Sequence, residues 1–213
     1  MSVALDYSLF YEEEDASTLS QPVPDREVID VDRERVARAQ TGDYYAFEEL
    51  VRQYRNDVYG LAFHFVRNRE EAWDISQEVF VKAHRSLARF RGDSSFKTWL
   101  LRITANQCKD YLKKRRLETV SYNDALEAEE APSQFQDPSS SAEAKEVGEA
   151  IQIALNGLPF KHRTAFVLRE FEGLSYEEMA KAMECNLGTV MSRLHHARKK
   201  LQLTLQRMGI AGG

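Results

Sequence analysis

The sequence predicts an all-α protein made of two small helical blocks joined by an acidic strap. Three observations carry this. Apolar residues recur at helical spacing over most of the chain. Alternating strand patterns are absent. One stretch, residues 117–143 (LETVSYNDALEAEEAPSQFQDPSSSAE), interrupts the periodicity with Pro132, Pro138 and a serine run. The expected organisation is a tail over 1–30, a block over 31–116, a linker over 117–143 and a second block over 144–208.

Residues 1–30 are acidic, contain Pro22 and Pro24, and read as a disordered tail. In the first block, Phe47, Leu50, Val51, Tyr54, Val58, Leu61 and Phe65 keep one apolar face over about five turns. Ile75, Val79, Phe80, Ala83 and Leu87 form a second face, with Trp73 and Phe90 near its ends. Gly92 breaks the pattern. Trp99, Leu100, Ile103, Cys108, Tyr111 and Leu112 mark a third long helix, which ends in the basic run Lys113 to Arg116.

The second block opens with Val147, Ile151, Ala154, Leu155 and Leu158. Pro159 suits a first helical turn, and Gly173 stops the helix that follows. Ser175 and Glu178 then form a Ser-x-x-Glu capping box at the start of a short helix. Met179, Ala180 and Met183 give that helix its apolar face. Glu184, Cys185 and Asn186 make a turn, and Asn186 caps a longer helix spaced by Leu187, Val190, Leu194, Ala197 and Leu201. A capped short helix, a tight turn and a longer helix make a helix-turn-helix over 175–201, whose second helix suits the major groove.

Charge supports a nucleic-acid partner despite a net charge of −5. Residues 1–32 hold nine acids and one base, and residues 117–143 hold seven acids and no base, so the remaining residues carry +10. The polar face of the last helix shows Thr189, Ser192, Arg193, His195, His196, Arg198, Lys199 and Lys200. A cationic face alone reads as solvated; joined to the capped motif, it reads as DNA-contacting. A second basic site lies in FRGDSSFKTWLLRITANQCKDYLKKRR. There Phe96, Trp99 and Tyr111 alternate with Arg91, Lys97, Arg102 and Lys109, a pattern that suits single-stranded nucleic acid through stacking and phosphate contact. Trp99 is as much a core candidate as a stacking one. Phe96 and Asn106 are expected at the surface, where Asn106 offers a donor and an acceptor to one unstacked base.

FEELVRQY, REEAWDISQEVFVKAHRSLARFRGDSSFKTWLLRI, LPFKHRTAFVLREFEGLSYEEMAKAM and GTVMSRLHHARKKL resemble, in order, the signatures of the extracytoplasmic-function (ECF) sigma factors of RNA polymerase, within the sigma-70 family. The resemblance covers about residues 31–116 and 144–205. It implies that Asp74, Gln77, Glu78, Phe80 and Lys82 dock on core RNA polymerase. It implies that Phe96, Lys97, Trp99, Arg102, Asn106 and Lys109 melt and hold the −10 element of promoter DNA. The −35 element would fall to Thr189, Ser192, Arg193, His195, His196, Arg198 and Lys199. It further implies control by an anti-sigma factor and a linker that threads through the polymerase. Met191 stands where the family usually has Lys or Arg, and His196 where Arg is common. Each removes a fixed positive charge.

Other classes fit less well. A stand-alone repressor needs a dimer surface or ligand domain that residues 31–116 do not offer. For an enzyme, the carboxylates fall mostly on amphipathic faces or in the acidic tracts, and no Walker or nucleophile-elbow pattern occurs. His64, His84, His162, His195 and His196 lack zinc-ligand spacing. No cofactor is expected, and Cys108 and Cys185 read as buried, inert thiols. No apolar run approaches the ~20 residues of a membrane span. The start, MSVALDYSLFYEEED, does not read as a secretory signal, so the expected compartment is the cytoplasm.

Overall fold

The computed structural model describes residues 26–122 and 142–210. Among them every regular element is helical: α1 (Arg26–Gln40), α2 (Tyr44–Val66), α3 (Arg69–Ser86), α4 (Phe96–Tyr122), α5 (Ala142–Asn156), α6 (Phe160–Glu170), α7 (Tyr176–Ala182) and α8 (Leu187–Arg207), with a 3-10 turn at Leu87–Arg89. Helix α1 begins inside the stretch read as tail, and α4 runs six residues past the expected block end. The rest of the tail and the middle of the linker, residues 1–25 and 123–141, lie outside the described residues.

Local chemistry sets the ends. Asp43 caps α2 by accepting from the Ala46 amide at 3.2 Å. Asn68 caps α3 by accepting from the Glu70 and Glu71 amides at 2.9 and 3.1 Å. Gly92 takes φ +75°, which a side chain would resist, and so turns the chain from the 3-10 segment into α4.

In the first block, α2, α3 and α4 pack around Leu50, Val58, Leu61, Ile75, Val79 and Leu100, all at most 1% exposed. Helix α1 lies across them. Tyr54 donates to the Asp32 carboxylate, and Gln40 donates to the Leu87 and Phe90 carbonyls at 2.9 Å each. That second contact braces the loop leading to α4. In the second block, α5, α6 and α8 bury Leu155, Phe166, Leu194, Ala197 and Leu201.

The blocks also pack on each other, which the periodicity of neither block predicts. Val167, Leu168, Leu174, Met179 and Val190 share one apolar cluster with Leu61, Phe65, Phe96 and Trp99. The Phe160 ring sits 4.8 Å from Phe65, and Phe171 sits 4.0 Å from the His64 ring, centroid to centroid. Arg163 donates to the His64 carbonyl. Two readings of apolar positions need correction. Trp73, placed at the end of the α3 core face, is 59% exposed, and Leu187, placed on the α8 core stripe, is 38% exposed. Trp73 lies on the outward side of α3, next to the buried Ala72, and Leu187 is the first residue of α8.

Candidate nucleic-acid interface

The helix-turn-helix forms as the sequence predicts. Ser175 Oγ accepts from the Glu178 amide at 3.2 Å, while Glu178 Oε2 accepts from the Ser175 amide at 3.0 Å. Both halves of the capping box are therefore present. The turn closes through Glu184 at φ +49° and through the Cys185 amide, which donates to the Ala180 carbonyl at 3.0 Å. Asn186 Oδ1 then accepts from the Thr189 amide and hydroxyl, each at 2.8 Å. Val190, Leu194, Ala197, Leu201 and Leu205 anchor α8 from beneath.

This leaves the opposite face of α8 outward. Ser192, His195, His196 and Lys199 are exposed; Thr189, Arg193 and Arg198 are half-buried. Arg198 donates to Glu170 at 3.0 Å, and Arg193 donates to Cys185 Sγ at 3.4 Å. The His162 ring stacks 5.8 Å from His196. Partial burial, His196, Arg193 and Lys200 hold its pKa below the usual histidine value.

The aromatic site departs from expectation. Phe96 is 3% exposed and Trp99 7%, so the Phe96 ring expected at the surface is core. Ring contacts explain this: Phe96 lies 5.7 Å from Tyr54, 5.5 Å from Trp99 and 6.0 Å from Phe90. Once Tyr54 is fixed by Asp32, the first turn of α4 fills the space above it. The cations are engaged as well. Lys97 Nζ lies 2.6 Å from Asp57 and 3.8 Å from Glu172. Arg102 donates to Glu184 at 3.1 Å. Asn106 is exposed as expected, and Lys109 is exposed one turn on. Phe90, Trp99, Arg91 and Arg102 line a cleft of about 370 Å³ that Lys181 of the second block also enters.

Helix α3 presents Asp74, Gln77, Glu78 and Lys82 to solvent, with Phe80 half-buried. Gln107 ties this row to α4, accepting from Lys82 and donating to Glu78. Trp73 and Val81 extend the same face, four residues either side of Gln77. Sequence periodicity missed them because an apolar residue on a helix defaults to a core assignment. Among the described residues, no group of three His, Cys, Asp or Glu side chains is placed to hold a metal. Cys108 is buried, and burial pushes its thiol up to about 12; Cys185 is half-buried rather than sealed. No described helix is long and apolar enough to cross a membrane.

Two helical blocks, one carrying a helix-turn-helix with an outward cationic helix, define the class of two-module helix-turn-helix proteins. The family model described as Sigma-70 region 2 matches residues 50–118, and the one described as Sigma-70, region 4 matches residues 148–201. The chain is 41% identical to the RNA polymerase sigma-H factor of Pseudomonas aeruginosa, over 82% of this chain and 94% of that one. It is 39% identical to the ECF RNA polymerase sigma-E factor of Escherichia coli, with the same coverage. Its fold resembles the sigma factor RpoE solved with the anti-sigma factor NepR from Bartonella quintana: TM-score 0.61, 26% identity, 75% of this chain and 96% of that one. It also resembles CnrH solved with the cytosolic domain of CnrY: TM-score 0.63, 25% identity, 84% and 99%. The chain belongs to the ECF sigma factors of the sigma-70 family.

Proposed function

We propose that this sigma factor works in the cytoplasm, binds core RNA polymerase through α3, and places it on promoters with two separate DNA elements. The observation that carries the reading is the α7–α8 pair. Its caps fix a helix-turn-helix whose cationic face stays outward while its apolar face is buried. Thr189, Ser192, Arg193, His195, His196, Arg198 and Lys199 contact the −35 element, the early residues at base edges and the later ones at phosphates. The −10 element falls to the first turns of α4, where Phe96, Lys97, Trp99, Arg102, Asn106 and Lys109 stand. Phe96 acts there as support for the ring cluster, and Asn106 and Lys109 face the strand. Asp74, Gln77, Glu78, Phe80 and Lys82, joined by Trp73 and Val81, form the polymerase face.

The linker serves reach. The 19 residues between α4 and α5, 123–141, can bridge at most roughly 65 Å, enough for two separated elements. An anti-sigma factor controls the chain; the relatives solved with such a partner share its fold. No covalent chemistry is needed. Binding free energy alone drives strand opening, as unstacked bases transfer to the protein. Run-off transcription with purified core polymerase tests the reading. The expected result is a promoter-specific product that core alone does not make. Absence of that product on a genomic library of templates would overturn it.

A further inference from the structure

His162, His195 and His196 meet beside the outward face of α8, and the backbone places the proton on one of them. His196 Nδ1 lies 2.6 Å from the Ser192 carbonyl oxygen, one turn back on the same helix. A carbonyl oxygen only accepts, so Nδ1 carries the hydrogen. The Ser192 hydroxyl, 3.4 Å from the same nitrogen, adds a longer contact. The exposed ring, when neutral, therefore presents Nε2 outward as an acceptor. The ring is also held in place. His162, in the first turn of α6, stacks on it at 5.8 Å with 26° between the planes, and His195 meets it edge-on at 5.7 Å and 88°. Partial burial, then His196, Arg193 and Lys200, keep a proton off His162. No second charge thus pushes the stacked ring away.

We propose that His196 reads one base of the −35 element by accepting from an amino group, which selects adenine or cytosine on the contacted strand, and that His162 is the positioning residue that aims its ring at the groove. The proposal rests on the −35 assignment above and goes beyond it by naming the class of base. The spacing supports a base contact. Thr189, Ser192 and His196 follow one another at three and four residues, so they share the outward face of α8. Hydrogen-bond complementarity then rules out the other partners. A phosphate oxygen also only accepts, so it makes no bond to a neutral Nε2. In the major groove the donors are the adenine N6 and cytosine N4 amino groups, whereas guanine offers the acceptors N7 and O6, and thymine the acceptor O4. Arginine at this position would invert the choice, because a guanidinium has donors and no acceptor. The stack matters because His162 belongs to α6, outside the helix-turn-helix, and so ties the angle of the reading ring to the packing of α6 on α8.

The test uses the full chain assembled with core polymerase, at pH 8, where an ordinary imidazole is neutral. The probes are duplexes of a promoter mapped by run-off transcription, in which each −35 position carries all four base pairs in turn. At one position the parent should prefer adenine or cytosine over guanine and thymine by about five-fold. His196→Ala should flatten that position and leave the others as they were. His196→Arg should move the preference there to guanine. His162→Phe keeps a ring in the stack and should retain the preference of the parent, whereas His162→Ala should reduce it to about two-fold or less. An affinity change in His196→Ala that is equal for all sequences marks a phosphate contact and overturns the proposal. So does a guanine or thymine preference of the parent at the position that His196→Ala flattens, and so does a profile that neither His196 variant alters. In each of those cases the other −35 preferences remain and the −35 assignment stands. Full retention of the preference in His162→Ala overturns the positioning role. Absence of any base preference along the −35 element, in the parent and in every variant, overturns the −35 assignment and the proposal with it.

Discussion

Lys199 and Arg198 adjoin on α8 but differ in partner. Lys199 is exposed, whereas Arg198 is bound to Glu170 at 3.0 Å. Lys199→Ala should weaken duplex binding and reduce the slope of log affinity against log salt by about one, the signature of one lost phosphate contact. Arg198→Ala should change the slope less, because Glu170 already offsets that charge. Filter binding at several salt concentrations checks both, and equal slopes for the two variants would contradict the pairing. Asn106 faces solvent on α4 beside a cleft of about 330 Å³ lined by Lys82, Arg85 and Gln107. Asn106→Ala should impair open-complex formation, followed by permanganate footprinting, more than it impairs −35 duplex binding. Equal loss in both would point to a folding defect. The exposure of Asn106 was legible in the sequence. The burial of Phe96 was not, because it depends on Tyr54, 42 positions away, being pinned by Asp32 on a third helix.

Helix α7 has only seven residues, too short to persist without help. Its capping box satisfies two amides that no helical carbonyl reaches. Ser175→Ala should therefore cost about 1 kcal/mol, read as a lower thermal midpoint, with duplex affinity falling in parallel as α8 loses its brace. A stability loss with unchanged affinity would mean that α8 is positioned by α6 alone. Start and stop signals of this kind were fully legible, since a cap is a contact between residues three apart. The ends of α1 and α4 were not. Helix α1 starts within an acidic stretch that composition alone assigns to a tail, and α4 continues past its basic run because nothing in LETVSY breaks a helix.

At the scale of the whole molecule, two buried titratable groups sit where the blocks meet and oppose each other. Burial, then the nearby Arg67 and Arg163, holds His64 down at about 4, well below its ordinary 6.5. The separated or unfolded chain takes up that proton first. Packing is therefore intact above pH 6.5 and weakens as pH falls from there towards 4. Glu172 has the opposite sign. Its folded-state value of about 7 lies above the ordinary 4.5, so its contribution is fully present below 4.5 and is lost as pH rises through 7. Thermal unfolding from pH 4.5 to 8 should show Glu172→Gln matching the parent at the acid end and exceeding it by up to about 3 kcal/mol at the alkaline end. A constant offset at all pH values would mean that Glu172 is not buried in solution.

By itself the sequence determined the helical class, the two blocks, the caps and turn of the helix-turn-helix, and the outward cationic face of α8. All of these follow from residues within a few positions of one another, where spacing and capping chemistry leave little freedom. Only the tertiary structure decided that Phe96 is core, that Trp73 and Val81 lie outward, and that Lys97 and Arg102 are bound by Glu172 and Glu184. The burial of Phe96 rests on a partner 42 positions away, and the pairing of the two cations on partners 75 and 82 positions away. At such separations the partner of a charge or ring is set by how whole helices pack, which local periodicity does not encode.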